Sequence, residues 1–531
     1  MLKRCLLPLS VILTLLSFNL NGETRPNIVL VLADDMGFSD AGCYGGEIQT
    51  PTLDSLAENG LRFSQMYSTG RCWPSRAVLM TGYYAQQVGM DPRRGKEWPS
   101  WSRLLPLRLK EAGYRNYHSG KWHLKGMPAD PAVSGFDRSY YLGDQDRFFS
   151  PKRVWVDDEQ QPAIERDTGF YSTVAKADYA IEFLKDHAAD TADQPFFLYL
   201  AFFAPHFPLH ALLEDIEKYK DAYLTGWDVV RKERWSRLTS MGLVDSGLAE
   251  RREDIFPPWN LSEEDLVSQI HPGEVAYALP WEDLTDEQQR FQATKMAIHA
   301  AMIDRMDQEI GRVMAQVKHM GESDNTVFIF LSDNGASGEM MNRGDRHDPA
   351  APLGSAGSYL GLGPGWSTAA NTPFSFHKHW NHEGGISSPM VVSWPKGIQA
   401  RGELRHTPAH FIDLYPTILD LAGAQAPTPV KGPFLPGRSL VPIFQEQAEW
   451  SDRFIFWAHS GNRAVRQGNW KAVTRRDNEE RWELYNMAND RAELHDLATK
   501  QQGKLHELSS VWKSLSDQFA SDFETGSHMK D

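Results

Sequence analysis

Three uninterrupted apolar runs constrain this chain more than anything else in it: Asn27-Ile-Val-Leu-Val-Leu-Ala33, Pro195-Phe-Phe-Leu-Tyr-Leu-Ala-Phe-Phe203 and Thr326-Val-Phe-Ile-Phe-Leu331. Each has strand length and no alternation with polar residues, so each reads as a strand buried on both faces. Sheets covered on both faces are built from strands that alternate with helices. Helical spacing falls between the runs, at Pro51 to Gly60, from Cys72 onward, Leu104 to Ala112, residues 172–188, Phe291 to Val317 and Phe411 to Ala422. Tyr114 to His118 and Pro389 to Trp394 read as further strands. The expectation is an α/β fold with a large, mixed, mainly parallel sheet flanked by helices.

Near residue 445 the texture changes. Arg453 to Trp457, Asn462 to Arg466, Trp470 to Arg475 and Trp482 to Tyr485 are short strand patterns separated by turns such as Gln467-Gly468-Asn469, and a helical pattern follows from Gly503 to Ala520. This predicts a smaller C-terminal antiparallel sheet plus helix over 446–531, after a larger domain over 23–445. Within the larger one, residues 210–290 mix charge, Trp and Pro and read as a partly helical insertion, and Gly354 to Gly365 reads as a loop. Residues 1–22 stand apart. Lys3 and Arg4 precede an apolar run from Cys5 to about Phe18, the pattern of a secretory signal peptide. The run is shorter than the ~20 residues a membrane span needs, and no later segment is long and apolar enough to cross a bilayer. A secreted or periplasmic protein is expected.

The formal net charge is −15, and losing Lys3 and Arg4 with the leader takes it to −17. That balance argues against a general nucleic-acid binder, which carries a basic face. Only Cys43 and Cys72 remain after the leader. A bridge between them would consume the more functional-looking thiol, so no disulfide is expected.

In open α/β sheets, ligands bind at the carboxyl ends of the strands. Three of the apolar runs end there in polar clusters: Asp34-Asp35, Pro205-His206-Phe207-Pro208 and Asp333-Asn334-Gly335. Adjacent carboxylates repel unless a cation lies between them. Asp34, Asp35, Asp333 and Asn334 together make a hard oxygen site suited to Ca²⁺ or Mg²⁺; each pair alone reads equally as turn and cap residues. Cys72-Trp73-Pro74-Ser75-Arg76 opens a helix, because Pro suits a first turn. Cys72 at that end meets unpaired N–H groups and the positive dipole, with Arg76 one turn on. It reads either as a nucleophile beside an anion site or as a buried structural thiol. In Gly120-Lys121-Trp122-His123, an extended backbone would point Lys121 and His123 the same way, an anion holder beside a proton carrier. His206 lies between two prolines that fix its backbone. Lys378 has histidine neighbours at 377, 379 and 382, but no cysteine or spaced carboxylate completes a zinc set.

These pieces together resemble the sulfatase family. Cys72-x-Pro74-Ser75-Arg76-x-x-x-Met80-Thr81-Gly82 is similar to the family signature at every defined position. Asp34-Asp35, Gly120-Lys121-x-His123, Pro205-His206-x-Pro208, Asp333-Asn334-Gly335 and Lys378 ahead of Glu383-Gly384-Gly385 follow in the family's order. The resemblance implies an alkaline phosphatase-like fold and a secreted, arylsulfatase-type sulfuric ester hydrolase acting on a sulfate ester substrate, with a sulfated carbohydrate as its natural form. It implies that a separate formylglycine-generating maturation enzyme oxidises Cys72 to Cα-formylglycine (3-oxoalanine). It further implies one Ca²⁺ held by Asp34, Asp35, Asp333, Asn334 and the modified Cys72. Arg76, Lys121, His123, His206 and Lys378 would complete the sulfate pocket. One hydroxyl of the hydrated aldehyde would attack sulfur, His206 with Lys378 would protonate the leaving alcohol, and His123 would help the second hydroxyl expel sulfate. Ile386-Ser387-Ser388-Pro389 lacks the Arg often found before that proline, a departure expected to affect local packing. Two other readings are a formylglycine-dependent phosphonate monoester hydrolase or phosphodiesterase, and a secreted carbohydrate-binding homologue without catalysis. A two-zinc phosphatase is disfavoured because the His and Asp ligands for a second metal are not evident.

Overall fold

The computed structural model describes residues 25–527, apart from residues 129, 345, 425–431, 449, 451 and 479–480. The expected leader over 1–22 lies outside the described residues. The large sheet contains, in chain order, β1 (Asn27–Asp34), β2 (Leu61–Tyr67), β3 (Arg115–Gly120), β4 (Arg138–Leu142), β5 (Val154–Val156), β6 (Glu159–Gln161), β7 (Phe196–Pro205), β8 (Thr326–Ser332), β9 (Ser387–Ser393), β10 (Glu403–Arg405) and β11 (Ala409–His410). Across the sheet they run β10-β2-β9-β8-β1-β7-β3-β4-β5-β6, with β11 also on β2. The centre, β8-β1-β7-β3-β4, is parallel. β9 is antiparallel to β8 and β2, and β5 and β6 are antiparallel at the far edge.

The apolar runs are the middle of this sheet because both of their faces are covered. Val29, Val31 and Ala33 pack into one core with the helices Ser172–Asp190 and Asp286–His319. Ile28, Leu30 and Leu32 point the other way, into a second core with Ala77, Val78, Leu79 and Met80 of the helix Cys72–Thr81. Each such side chain contributes about 1.5–3 kcal/mol by leaving water. Register fixes the functional edge: Asp34 pairs with Pro205, Ala33 with Ser332 and Gly120 with Ala201. The residues that follow these positions therefore emerge side by side.

Some expectations are adjusted. The helix Asp286–His319 starts earlier than the apolar period does, because Thr285 and Gln288 form a capping box. The segment read as a loop over Gly354 to Gly365 ends in a helix, Gly363–Ala370. Its glycines are packing residues: a Cβ on Gly365 would lie 2.6 Å from the buried Trp227 ring. The strand read at Pro389 to Trp394 begins two residues earlier. β2 carries no uninterrupted apolar run, since Arg62, Ser64 and Gln65 break its apolar residues. The 210–290 segment contains the helices Leu213–Glu217, Trp227–Ser240 and Glu263–Gln269, so it is partly helical.

The second sheet is antiparallel, with β12 (Phe454–His459), β13 (Asn462–Gln467), β14 (Trp470–Thr474) and β15 (Trp482–Asn486) in sequence order. The helix Gln502–Ser527 covers one face through Leu508 on Val465, Ala472 and Leu484. The other face meets the large sheet, where Trp457 Nε1 donates to Ser68 O at 2.8 Å. No helix among the described residues is long and apolar enough to cross a membrane.

Candidate active site

The polar clusters at the carboxyl ends of β1, β3, β7 and β8 converge, and two further segments complete them. Asp34 closes β1, and Asp35 follows with φ 69°. That left-handed backbone turns the chain so that both carboxylates face the same space. Asp333 N donates to Ala33 O at 3.1 Å, and Asn334 Nδ2 donates to Asp35 Oδ1 at 2.7 Å. The glycines after these residues are dictated by crowding. A Cβ on Gly335 would lie 1.9 Å from Gly384 O, and one on Gly385 would lie 2.0 Å from Trp380 O. Asp-Asn-Gly and Glu-Gly-Gly are thus two halves of one backbone contact that carries Lys378 toward Asp35.

The helix Cys72–Thr81 places Cys72 at its first residue and stops at Gly82, φ 75°. Cys72 is 2% exposed, and its Sγ lies in one cluster of ligand atoms with carboxylate oxygens of Asp34 and Asp333, all within 4.8 Å of one another. Cys43 is a separate free thiol. Arg76 grips Asp333 Oδ2 through Nη2 at 2.8 Å and Nε at 3.0 Å, and its Nη1 reaches Lys121 O and the Tyr199 hydroxyl. Lys121 Nζ donates to Asp34 Oδ2. Lys378 Nζ lies 2.8 Å from Asp35 Oδ1 and 3.2 Å from Glu339 Oε2. His206 Nδ1 bonds Phe207 O at 2.5 Å, which leaves Nε2 turned to Asp35 Oδ2 at 3.7 Å.

Every predicted site residue therefore reaches this cluster or its rim, with one change of reason. His123 has φ 61°, so Lys121 and His123 do not share a face through strand alternation. A turn, not an extended segment, sets His123 against the Trp73 ring at 5.6 Å. Glu339, Arg71, Tyr199 and His379 also belong to the surroundings and were not anticipated. Glu339 pairs with Lys378, with Arg71 at 3.4 Å and with His379 at 3.3 Å; nothing local in its sequence marks it. The histidines flanking Lys378 diverge: His377 meets Ser367 Oγ, His379 meets Glu339 and His382 meets Glu483.

Electrostatics agree with a site built for an ion. Burial pushes the Asp34 carboxyl up, but Lys121, His206 and Arg76 outweigh it and hold it well below the usual range. Burial and the Asp34 charge push Asp333 up despite Arg76. Burial would lower Lys378, yet Asp35 and Glu339 raise it, so it stays an ammonium. Burial, then Lys121, holds His123 well below an ordinary imidazole. Two oxygens, Asp34 Oδ1 and Asn334 Oδ1, are buried without a hydrogen-bond partner. An unsatisfied buried oxygen costs about 1–3 kcal/mol, and both are hard donors beside two more carboxylates, which fits a Ca²⁺-type cation. A thiol is a poor ligand for such an ion, so the donor set fits the cation better once position 72 carries oxygen.

Comparison with known proteins agrees with this geometry. Residues 26–424 match the Sulfatase family model, and residues 374–520 match the model for the C-terminal region of N-sulphoglucosamine sulphohydrolase. An uncharacterized sulfatase of Schizosaccharomyces pombe is 31% identical, over 94% of this chain and 94% of its own. The arylsulfatase of Klebsiella aerogenes is 32% identical over 76% of this chain and 87% of its own. The N-acetylglucosamine-6-O-sulfatase of Bacteroides thetaiotaomicron is 25% identical over 94% and 88%. Among solved structures, Ps i-CgsB in complex with k-i-k-neocarrahexaose superposes with a TM-score of 0.64 at 24% identity, covering 93% of each chain. A structure holding its substrate D-glucosamine-2-N,6-O-disulfate superposes with a TM-score of 0.61 at 20% identity, covering 96% of this chain and all of that one. The fold is the alkaline phosphatase-like one, and the chain belongs to the sulfatase family of sulfuric ester hydrolases.

Proposed function

We propose that this protein hydrolyses sulfate esters on saccharides, using Cys72 matured to Cα-formylglycine and one Ca²⁺. The observation that supports this reading best is the convergence of Asp34, Asp35, Asp333 and Asn334, with two of their oxygens unsatisfied, on the buried Cys72. Those four residues would hold the cation, which when bound polarises sulfate oxygens and lowers the pKa of the attacking hydroxyl. Matured to the formylglycine hydrate, Cys72 would supply one hydroxyl for attack on sulfur and a second whose deprotonation would release sulfate, where a thiol has no hydroxyl to offer. A saccharide substrate is supported by the N-acetylglucosamine-6-O-sulfatase among the relatives and by the sugars held by structural neighbours.

The residues then have distinct tasks. Arg76, fixed by its two bonds to Asp333, keeps that carboxylate aimed at the cation and offers charge to the sulfate oxygens. Lys121 and Lys378 flank the same space from β3 and from the loop before β9, offsetting charge that builds on those oxygens. His206 presents Nε2 as the atom through which a proton passes to the leaving oxygen. Lys378, held as an ammonium by Asp35 and Glu339, helps that transfer through its positive charge beside His206, which makes the imidazolium the readier donor. His123, buried against Trp73, assists the deprotonation that frees sulfate. Secretion through the leader over 1–22, maturation by a separate oxidising enzyme and a domain division between residues 445 and 446 belong to the same proposal.

Mass spectrometry of the peptide containing Cys72 tests the nucleophile, and parallel assays of an aryl sulfate and an aryl phosphodiester test the reaction. Formylglycine and dominant aryl sulfate turnover are expected. An unmodified thiol in active protein, or a dominant phosphodiesterase rate, would sink the reading.

A further inference from the structure

Glu339 has no task in the chemistry above, yet its side chain is 2% exposed and meets donors from segments far apart in the chain. Trp259 Nε1, from the 210–290 segment, donates to Oε1 at 2.9 Å. Arg71 Nη1, from the residue before Cys72, lies 3.4 Å from the same oxygen, and His379 Nε2 lies 3.3 Å from it. Ser337 Oγ and Lys378 Nζ meet Oε2 at 3.0 and 3.2 Å. The backbone on either side of Glu339 is tied to the same 210–290 segment: Asn260 Nδ2 donates to Gly338 O at 3.0 Å, and Met340 N donates to Asn260 Oδ1 at 2.9 Å. Burial pushes the Glu339 carboxyl up, but Lys378 and Arg71 outweigh it and hold it well below the usual range. Glu339 is therefore a fixed negative charge.

Lys378 joins this carboxylate to the oxygen site. Its Nζ lies 2.8 Å from Asp35 Oδ1 and 2.9 Å from Asp35 Oδ2, so one ammonium spans both oxygens of a residue assigned above to the cation. An ammonium and a divalent cation on one carboxylate repel each other. The Lys378 side chain is fully buried, where screening by salt and water is weak. A buried ammonium also needs a counter-charge. Of the two carboxylates that pair with Lys378, Asp35 and Glu339, Glu339 is the one outside the oxygen site.

Building on the cation reading above, we propose that Glu339 is a positioning residue that lets Lys378 and a Ca²⁺-type cation share Asp35. It supplies the counter-charge that Lys378 loses when Asp35 serves the cation. It also keeps the ammonium beside His206 instead of in competition for the oxygen site. The 210–290 segment takes part through Trp259, whose N–H holds Oε1 and so leaves Oε2 to Lys378.

Calcium titration calorimetry on the full chain tests this without turnover. Every protein carries Cys72→Ser, which gives position 72 an oxygen and removes maturation as a variable. Glu339→Gln should weaken calcium binding by about tenfold. Lys378→Met should tighten it, because a competing cation is gone. In the Lys378→Met background, Glu339→Gln should change calcium affinity by less than about twofold, since Glu339 acts on the oxygen site through Lys378. Trp259→Phe, which loosens Glu339 and leaves its charge, should weaken calcium by about threefold, and it carries the test if Glu339→Gln does not fold. An unchanged affinity in Glu339→Gln (in Trp259→Phe, should the first not fold) would overturn the inference. So would a Lys378→Met affinity no tighter than the parent's, or a weakening that persists at full size in the Lys378→Met background. Absence of calcium binding by the parent chain would overturn the cation reading and this inference with it. Absence of aryl sulfate turnover by the wild-type protein would instead count against the sulfatase chemistry and leave the calcium comparison standing.

Discussion

Two buried charge clusters lie on either side of the loop that carries Lys378, and they differ in one respect. Around Cys72, carboxylates face cations but leave Asp34 Oδ1 and Asn334 Oδ1 without partners. Around Glu383, both of its carboxylate oxygens are taken, and the two atoms of the cluster left without hydrogen bonds, Glu493 Oε1 and Arg491 Nη1, are of opposite charge and make no set of cation donors. Lys471 Nζ donates to Oε1 at 2.8 Å, and the Tyr67 hydroxyl, Ser387 Oγ and Arg491 Nε meet Oε2 at 3.0, 3.1 and 3.3 Å. Lys471 also pairs with Glu493 at 2.8 Å, and Glu493 Oε2 accepts from Glu383 N at 2.8 Å. The first cluster is shaped for something that arrives; the second is a clamp between the two sheets. With serines at 387 and 388, the cations on Glu383 come from Lys471 and Arg491, far along the chain.

The largest expected effect separates the clusters by chemistry. Cys72→Ala should reduce aryl sulfate turnover by on the order of 10⁴-fold or more, as loss of a nucleophile does elsewhere. Thermal stability should hardly move, because no buried partner loses a bond. Retained turnover would show that the cluster around Cys72 is structural, like the clamp. Next comes the cation. Dialysis against a calcium chelator should lower turnover by on the order of 10²-fold or more and reduce stability by about 2.7 kcal/mol relative to Ca²⁺ at a hundredfold its Kd. Ca²⁺ should restore both. A stability unaffected by chelation would mean the unpartnered oxygens are not a cation site.

The clamp answers to a different perturbation. Glu383→Gln leaves Arg491 without its charge partner and Lys471 with Glu493 alone, and breaking a buried pair on one side costs about 3–5 kcal/mol. Urea unfolding should show that loss, while calcium affinity stays within about twofold because none of the four oxygen donors is touched. If calcium affinity fell in step with stability, the two clusters would be one unit.

The same contrast explains what the sequence reveals. The residues proposed to hold the cation follow directly on uninterrupted apolar strands, so the strands locate them: Asp34 at the end of β1 and Asp333 just after β8 are legible from the pattern that buries Val29 and Ile329. Cys72 and Arg76 are legible because a helix start is a local feature. Lys378 and His123 are legible by resemblance alone. A reading of His123 from alternation fails because its φ of 61° breaks the strand geometry. The clamp is nearly invisible, since Glu383, Lys471, Arg491 and Glu493 gain meaning only when two sheets meet. Glu339 is hidden for the same reason. Likewise β2 escapes notice because its Arg62 and Gln65 lie on the half-covered side of a strand near the sheet edge.

Acid should produce the smallest effect and the sharpest test of the clamp. Burial opposes ionisation of Glu383, but Lys471 and Arg491 outweigh it and hold its carboxyl below the ordinary 4.5. A depressed carboxyl contributes stability that is present above pH 4.5 and is lost as pH falls below it toward the folded value. Glu493 shifts the other way: burial, helped by the Glu383 charge, raises it despite Lys471. A raised carboxyl takes up its proton in the folded state first, so its contribution grows as pH falls from above 4.5 toward 4.5. The two slopes have opposite signs on opposite sides of one pH. In Glu493→Gln the gain above pH 4.5 should vanish while the loss below it remains. Subtracting the variant's thermal midpoints from those of the wild type, across pH 3 to 7, removes the contributions of carboxylates outside this pair. That difference should rise as pH falls to about 4.5 and then level off. A difference that instead changes only below pH 4.5 would show that Glu493 carries its charge comfortably in the fold, and that Lys471 serves it as fully as it serves Glu383.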